Sequence, residues 1–168
     1  MHDDHAGGVL TDDGEPACPN ARHVVQRADV EWLRAAATAS DHGTRAWGLL
    51  SPLEDAGLLD EIVGDSQLST GVSLRHLPGH TPGHQVMTLE DGDDRMVLSG
   101  DTWNHPLQLS HPDGASGSDE DAAVASIARR QLLDDVQAHP GTVVAPTHFA
   151  EAFGGFRRVD DGWLWSPL

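Results

Sequence analysis

The first residues of the chain concentrate side chains that bind metal ions. His2, Asp4 and His5 fall within four positions and run into small residues at 6–8. Neutral imidazole and carboxylate oxygen suit zinc and its first-row neighbours, so this spacing indicates a metal site. A metal-binding loop needs a framework on both sides, however, and only Met1 precedes this one.

Three further metal-ligand side chains stand where predicted strands end. His80 lies in Pro-Gly-His-Thr-Pro-Gly-His, Asp101 ends Val-Leu-Ser-Gly-Asp, and His148 ends Val-Val-Ala-Pro-Thr-His. Strands that stop at one edge of a sheet bring the following residues together, and Gly beside a ligand lets the backbone approach closely. Taken singly, each histidine is better explained as a hydrogen-bonded loop residue, and Gly-Asp is also a common turn. Jointly, the clusters predict a site for two metal ions.

Strands and helices alternate along the chain, which predicts an α/β or layered α+β fold in a single domain over 1–168. Apolar alternation and turn signals predict strands over 21–26, 72–77, 84–90, 95–99 and 142–145, and a pair around Asp160-Asp161-Gly162. A loop rich in Gly, Ser and Pro is predicted over 110–118.

Four helices are predicted from capping and periodicity signals. They are a short one at 6–10, one capped by Asp29 and ending near Ala39, one opened by the capping box Ser51-Pro52-Leu53-Glu54 and ending near Val63, and one capped by Ser118 and running from Asp119 to about Ala138. In the last helix the predicted buried side consists of Val124, Ile127, Leu132 and Val136.

Composition excludes several kinds of chemistry and partner. The 168 residues hold 27 acidic and 10 basic residues, for a net charge of −17, and every basic residue is Arg. A net negative charge of this size repels phosphate backbones and anionic lipid heads, so we expect neither nucleic acid nor a membrane surface as partner. Without Lys or Tyr, the chain lacks a lysine nucleophile and a phenolic general acid.

Cysteine content and hydropathy indicate the compartment. Cys18 is the only cysteine, which excludes an intrachain disulfide or a cysteine-based metal cage, and we interpret it as an ordinary loop thiol. No stretch is long and apolar enough to cross a membrane, and the first residues do not form a secretory signal. We therefore expect a soluble cytoplasmic protein.

Together these motifs resemble the metallo-β-lactamase superfamily, whose signature is His-x-His-x-Asp-His, then a later His, a bridging Asp and a last His. The matching stretches are His2-Asp3-Asp4-His5, Pro-Gly-His80, Ser-Gly-Asp101 and Thr-His148, and they cover nearly the whole chain. Pro-Gly-His-Thr-Pro-Gly-His and Asp-x-x-x-His-Pro-Leu-Gln place the chain nearest the lactonase-like and methyl-parathion-hydrolase-like branch. The resemblance implies an αββα sandwich with the metals at one edge of two sheets.

The resemblance also implies a role for each matching residue. Two zinc ions per intact domain are expected, although manganese, iron or cobalt fit the same nitrogen and oxygen ligands. His2 and His80 would bind the first metal. Asp4, His5 and His148 would bind the second. Asp101 would bridge the two ions as a catalytic residue, and Asp4 would pass a proton to the leaving group.

Other polar residues near these motifs receive weaker assignments. His84 follows the ligand position, which favours a supporting or structural role. Asn104 and His105 are candidates for a substrate pocket, and a plain loop role for His105 stays open. The remaining histidines match no family position and are predicted to be structural or surface residues: His23, His42, His76, His111 and His139.

The implied reaction is hydrolysis of an ester, lactone, thioester or phosphoester bond in a small molecule by a hydroxide that bridges two metals.

The chain departs from the family pattern in two ways that bear on this reaction. The signature's first His would stand two residues before His2, and the family's preceding strands are absent, so the chain is expected to begin inside the motif. The alternative is therefore a truncated, inactive or partial metal-binding fragment that binds at most one metal tightly. Asn104 stands where lactonases carry Tyr, which weakens a homoserine-lactone assignment.

Overall fold

The structure, a computed structural model, describes residues 6–160 and 162–168. The chain divides into two compact units, one ending at Gly64 and one spanning Asp65–Leu168. Three α-helices and nine strands lie in the described residues, which confirms the predicted mixed α/β class. The single domain over 1–168 stays a prediction.

The first unit combines two helices with a two-stranded parallel sheet. β1 (His23–Gln26) pairs with β2 (Leu59–Ile62), and α1 (Arg27–Ala36) and α2 (Asp41–Asp55) connect them. A 3-10 helix at Gly7–Val9 matches the short helix predicted over 6–10. The core of this unit consists of buried aliphatic side chains from the two helices, namely Leu33, Ala46, Leu50 and Leu53.

Helix α1 begins directly where β1 ends, so the prediction that Asp29 caps it is wrong. Gln26 occupies the N-cap position with extended backbone, and Asp29 lies buried in the first turn. The helix ends at Ala36, three residues before the predicted Ala39. The strand therefore passes into the helix without an intervening turn.

The predicted helix over 51–63 is also wrong, because α2 starts earlier. Ser40 caps α2, and its hydroxyl oxygen accepts a hydrogen bond from the Gly43 amide at 3.0 Å. Because α2 extends from Asp41 to Asp55, Pro52 lies inside its last turns rather than at the start of a new helix.

A Schellman motif ends α2 and connects it to β2. The amides of Gly57 and Leu58 donate to the carbonyl oxygens of Glu54 and Leu53 at 2.9 and 2.8 Å. Gly57 has φ +68°, in the left-handed region that glycine adopts without a steric penalty. The residues predicted as the second half of a helix pair with β1 instead.

The second unit is built on a seven-stranded sheet with strands in sequence order. The strands are β3 (Ser66–Ser69), β4 (Val72–His76), β5 (Gln85–Asp91), β6 (Asp94–Gly100), β7 (Val143–Pro146), β8 (Gly154–Val159) and β9 (Gly162–Pro167). Only the β6–β7 pair is parallel among these described strands. The predicted strands from 72 onward are confirmed. The short β3 was missed because its polar sequence carries no apolar alternation.

Helix α3 (Ala122–Ala138) makes the crossover that the parallel strands β6 and β7 require. The Asp121 carboxylate caps it by accepting the amides of Ala123 and Val124 at 3.1 and 3.0 Å, so the predicted Ser118 cap is wrong. Ile127 is 52 % exposed, contrary to its predicted burial. No helix among the described residues combines the length and apolar character that a bilayer crossing needs.

One side of the sheet and α3 enclose the core of the second unit. The members come from β5, β6, β7, α3 and the loops at the strand ends: Leu77, Val86, Val97, Trp103, Leu109, Ala128, Leu132, Leu133, Val136, Val144 and Phe149. This core fixes the strand ends from which the predicted ligands project.

Candidate metal centre

The structure brings three of the predicted ligands together at the ends of β4, β6 and β7. His80 Nε2 lies 2.9 Å from Asp101 Oδ2, and His148 Nε2 lies 3.5 Å from Asp101 Oδ1. His80 and Asp101 are each 5 % exposed, whereas the His148 side chain is 35 % exposed. One imidazole nitrogen therefore faces each oxygen of the Asp101 carboxylate.

Asp101 is held by contacts to its backbone and its carboxylate. Its amide donates to His84 Nε2 at 3.1 Å, and His84 Nδ1 donates to the Leu77 carbonyl at 3.0 Å. Burial lowers the pKa of His84 to about 4, so this imidazole is neutral and Nδ1 carries its proton. The Thr147 hydroxyl donates to Asp101 Oδ1. His84 thus has the supporting role that its sequence position favours.

Gly100 permits the close approach between His84 and the Asp101 backbone. Its φ is +51°, and a Cβ atom at this position would lie 2.8 Å from His84 Nε2. Any other residue would combine an unfavourable backbone conformation with a clash against the acceptor of the Asp101 amide. The glycine before the predicted bridging ligand is therefore a steric requirement.

His80 is held between two carboxylates. Its Nδ1 lies 3.3 Å from Asp119 Oδ1, on the opposite side of the ring from Asp101. Burial lowers the pKa of His80, but the hydrogen bonds and charges of Asp101 and Asp119 outweigh it and raise that pKa to about 9. Burial also raises the pKa of Asp119. Hydrogen bonds from His80, the Ser116 amide and Arg129 outweigh that effect and hold the Asp119 pKa below its usual value.

This donor set fits a carboxylate that bridges two cations. A histidine that binds a metal through one ring nitrogen usually donates its other N–H to a carboxylate or carbonyl, as His80 does to Asp119. His80 Nε2 and His148 Nε2 place one imidazole nitrogen beside each oxygen of Asp101. Within 6–160 and 162–168, no three His, Cys, Asp or Glu side chains form a complete metal-binding group. The other predicted ligands, His2, Asp4 and His5, lie outside the described residues.

Asn104 and His105 lie just beyond Asp101 and shape a short 3-10 helix, Pro106–Leu109. The amide of Asn104 donates to Gln108 Oε1 at 2.8 Å, and His105 Nδ1 accepts the Leu107 amide at 3.2 Å. Asn104 Oδ1 is buried with no hydrogen-bond partner among the described residues. The role of both residues in a substrate pocket stays a prediction.

Two histidines outside this cluster contact backbone carbonyl oxygens. His76 Nε2 lies 2.9 Å from the Pro82 carbonyl oxygen, and His139 Nδ1 lies 2.8 Å from that of Asp135. Both contacts agree with the structural roles predicted for these histidines. The side chain of His42 lies outside what the structure describes, and Cys18 is exposed.

Sequence reasoning missed Asp119, Arg129 and Thr147. The rule that a metal-binding histidine pairs with a carboxylate predicts an acidic partner for His80, but it cannot choose among 27 acidic residues. The predicted helix from Asp119 onward puts this carboxylate in a first turn and gives no sign of its contact with His80. Thr147 stands directly before His148, and that adjacency was the one available signal.

Comparison with known proteins identifies the family. The metallo-beta-lactamase superfamily model matches residues 1–148. An N-acyl homoserine lactonase from Bacillus sp. is 31% identical over 130 residues, which is 77% of this chain and 46% of that protein. The chain thus spans about half the length of this curated relative.

Two solved structures share the fold of this chain. AidC, a dizinc quorum-quenching lactonase in complex with an N-hexanoyl-L-homoserine product, matches with a TM-score of 0.83 at 20% identity, over 97% of this chain and 60% of its own. The hydrolase AbOPH matches with a TM-score of 0.86 at 21% identity, over 100% and 62%. At these identities the matches show the shared fold. The chain belongs to the metallo-β-lactamase superfamily.

Proposed function

We propose that this protein is a metal-dependent hydrolase of small molecules that cleaves a lactone, ester, thioester or phosphoester bond. The observation that carries the proposal is the placement of one imidazole Nε2 beside each oxygen of the buried Asp101 carboxylate. Family membership and the lactonase activity named for the Bacillus relative support the reaction class.

Divalent cations, with zinc as the first choice, would be held by His80, Asp101 and His148 together with His2, Asp4 and His5. When bound, such cations lower the pKa of water and polarise the oxygen of the scissile bond. The dizinc neighbour AidC supports zinc. Manganese, iron and cobalt accept the same nitrogen and oxygen ligands.

The protein's own contribution is to hold these ligand atoms in fixed orientations. His84 and Thr147 hold Asp101 through its amide and Oδ1, and Asp119 holds the ring of His80. Pre-set ligands need no reorganisation when cation and substrate bind. Asp4 is proposed to return a proton to the leaving group.

A lactone is the first substrate class to test, because the curated relative is an N-acyl homoserine lactonase. Asn104 stands where the resemblance implies a Tyr in lactonases, which weakens a homoserine-lactone assignment. The high negative charge opposes nucleic acid and anionic membranes as partners. Location in the cytoplasm stays a prediction.

The test is metal analysis of the zinc-supplemented protein together with a panel of lactones, esters, thioesters and phosphotriesters. We expect hydrolysis of at least one class, and a loss in kcat/KM of roughly 100-fold or more in Asp101→Ala. Asp113→Asn is the control, because Asp113 is an exposed carboxylate paired with Arg130. Zinc-loaded protein that hydrolyses no member of the panel, or an Asp101 variant as active as wild type, would contradict the proposal. Binding of at most one metal without hydrolysis would instead favour the alternative of a partial metal-binding fragment.

A further inference from the structure

We propose that Asp119 and Arg129 are positioning residues that fix the orientation of His80 and the loop after Asp101 for metal binding. The inference rests on the proposed function and assigns to it two residues that no ligand motif contains. Asp119, Arg129 and the groups they contact all belong to the second unit.

Asp119 determines which way the His80 ring faces. Its Oδ1 lies 3.3 Å from His80 Nδ1, and its Oδ2 accepts the Ser116 amide at 2.9 Å and a hydrogen bond from Arg129. The Asp119 side chain is 0 % exposed, so water cannot replace these partners. With Nδ1 bound in this way, Nε2 points at Asp101 and is the nitrogen offered to a cation.

Arg129 connects the two loops that carry these groups. Its side chain is 0 % exposed, and its Nη2 donates to Asp119. Its Nε donates at 3.0 Å to the carbonyl oxygen of Thr102, the residue directly after Asp101. Its Nη1 lies 3.3 and 3.2 Å from the carbonyl oxygens of Pro112 and Gly114 in the loop that leads to Asp119. One guanidinium therefore fixes both the loop after Asp101 and the loop that carries Asp119, the partner of His80.

Stability alone is a weak explanation for such a pair. Burying a carboxylate and a guanidinium is costly, and well-packed apolar residues often serve stability equally well. The planar donors of Arg, in contrast, reach four acceptors in fixed directions, which a Lys cannot do. The arrangement is suited to setting geometry at the ligand atoms.

The chain contains a matched control for this pair. Asp113 and Arg130 form an ion pair from the same loop to the neighbouring position of α3, but the Asp113 side chain is 77% exposed. Ser126 is the other side chain that donates to Asp113. Replacing Asp113 removes a carboxylate that pairs with an arginine of α3, as Asp119 does, but its side-chain partners are Arg130 and Ser126 rather than His80.

The experiment compares Asp119→Ala, Asp119→Asn and Asp113→Ala by zinc titration and by NMR of the metal-free protein. We expect Asp119→Ala to weaken zinc affinity by about 10- to 100-fold, as is typical when a carboxylate that orients a metal-binding histidine is removed. We also expect it to abolish the slowly exchanging His80 Nδ1–H resonance, assigned through His80→Asn. Asp119→Asn retains an acceptor oxygen, so its losses should be smaller. Asp113→Ala should match wild type in both measurements.

A double variant keeps the test decisive if a single change prevents folding. Asp119→Ala with Arg129→Met removes both charges and so leaves no unpaired charge buried. A folded double variant with weakened zinc affinity and no protected Nδ1–H supports the proposal, whereas wild-type affinity and resonance would overturn it. If wild type binds no zinc but the resonance disappears in Asp119→Ala and not in Asp113→Ala, the proposed function fails while the orientation of His80 by Asp119 stands. If the resonance persists in Asp119→Ala, the positioning proposal fails whatever the metal content.

Discussion

At the scale of single residues, the position of Asp101 depends on the absence of a side chain at Gly100 as much as on the hydrogen bonds from its neighbours. The Asp101 amide reaches His84 Nε2 only because no side chain stands at Gly100. The neutral state of His84 matters for the same contact, since a protonated Nε2 could not accept from that amide. Burial, which lowers the pKa of His84 to about 4, maintains the acceptor through the neutral pH range.

Replacing Gly100 by Ala tests this steric requirement. We expect Gly100→Ala to lower the free energy of unfolding by about 2–4 kcal/mol, from the left-handed backbone and the contact with His84 together. Gly92→Ala is the control, because Gly92 has φ +59° with nothing within 4 Å of its added Cβ. It should lose only about 1–2 kcal/mol. Urea unfolding measures both, and equal losses would show that the contact with His84 has no energetic weight.

At the scale of helices and strands, the start of each helix depends on which polar side chain caps its free backbone amides. Ser40 and Asp121 cap α2 and α3, whereas the predicted caps Ser51 and Ser118 do not. A cap exists only if the residues that follow can form a turn and pack. Local sequence offers several candidates of similar quality, and packing of the helix decides among them.

The cap of α3 can be distinguished from the predicted one by substitution. We expect Asp121→Ala to cost about 1 kcal/mol, because the amides of Ala123 and Val124 lose their acceptor. Ser118→Ala should change stability by less than about 0.5 kcal/mol. Chemical denaturation followed by circular dichroism measures both. A larger effect at Ser118 than at Asp121 would contradict the observed start of the helix.

Gly48 inside α2 and Gly57 in the turn after it should respond to Ala in opposite directions. Gly48 lies inside the helix with nothing within 4 Å of an added Cβ, so Gly48→Ala should stabilise by about 0.5–1 kcal/mol. Gly57 lies in the Schellman turn at φ +68°, so Gly57→Ala should destabilise by about 1 kcal/mol. The same unfolding assay compares them. Stabilisation by both changes would indicate that the helix continues past residue 57, as the sequence alone predicted.

At the scale of the whole molecule, acidic charge exceeds what the arginines can neutralise. The net charge is −17, and at least seven of the ten arginines already pair with a carboxylate among the described residues: Arg22, Arg27, Arg34, Arg75, Arg95, Arg129 and Arg130. The remaining carboxylates repel one another in the folded state, and added salt screens that repulsion.

Salt should therefore stabilise the metal-free protein. We expect Tm to rise by about 2–4 °C between about 0.05 M and 0.5 M NaCl, equivalent to about 1 kcal/mol. KCl should give the same rise, because screening does not depend on the identity of the cation. A fall in Tm would mean that the paired arginines contribute more than the repulsion, and a rise with only one salt would indicate specific ion binding.

The sequence by itself determined the ligand types, the family and most strands of the second unit. Apolar alternation over 72–77 or 95–99 is a local pattern, and so are the motifs around His80, Asp101 and His148, so neighbouring residues suffice to predict them. The tertiary structure alone decided the extent of α2 and the partners that orient the ligands. Asp119 lies 39 positions from His80, and Arg129 lies 27 from Thr102. Such pairs form because the packing of α3 and the sheet brings distant residues together, and no local pattern records that distance.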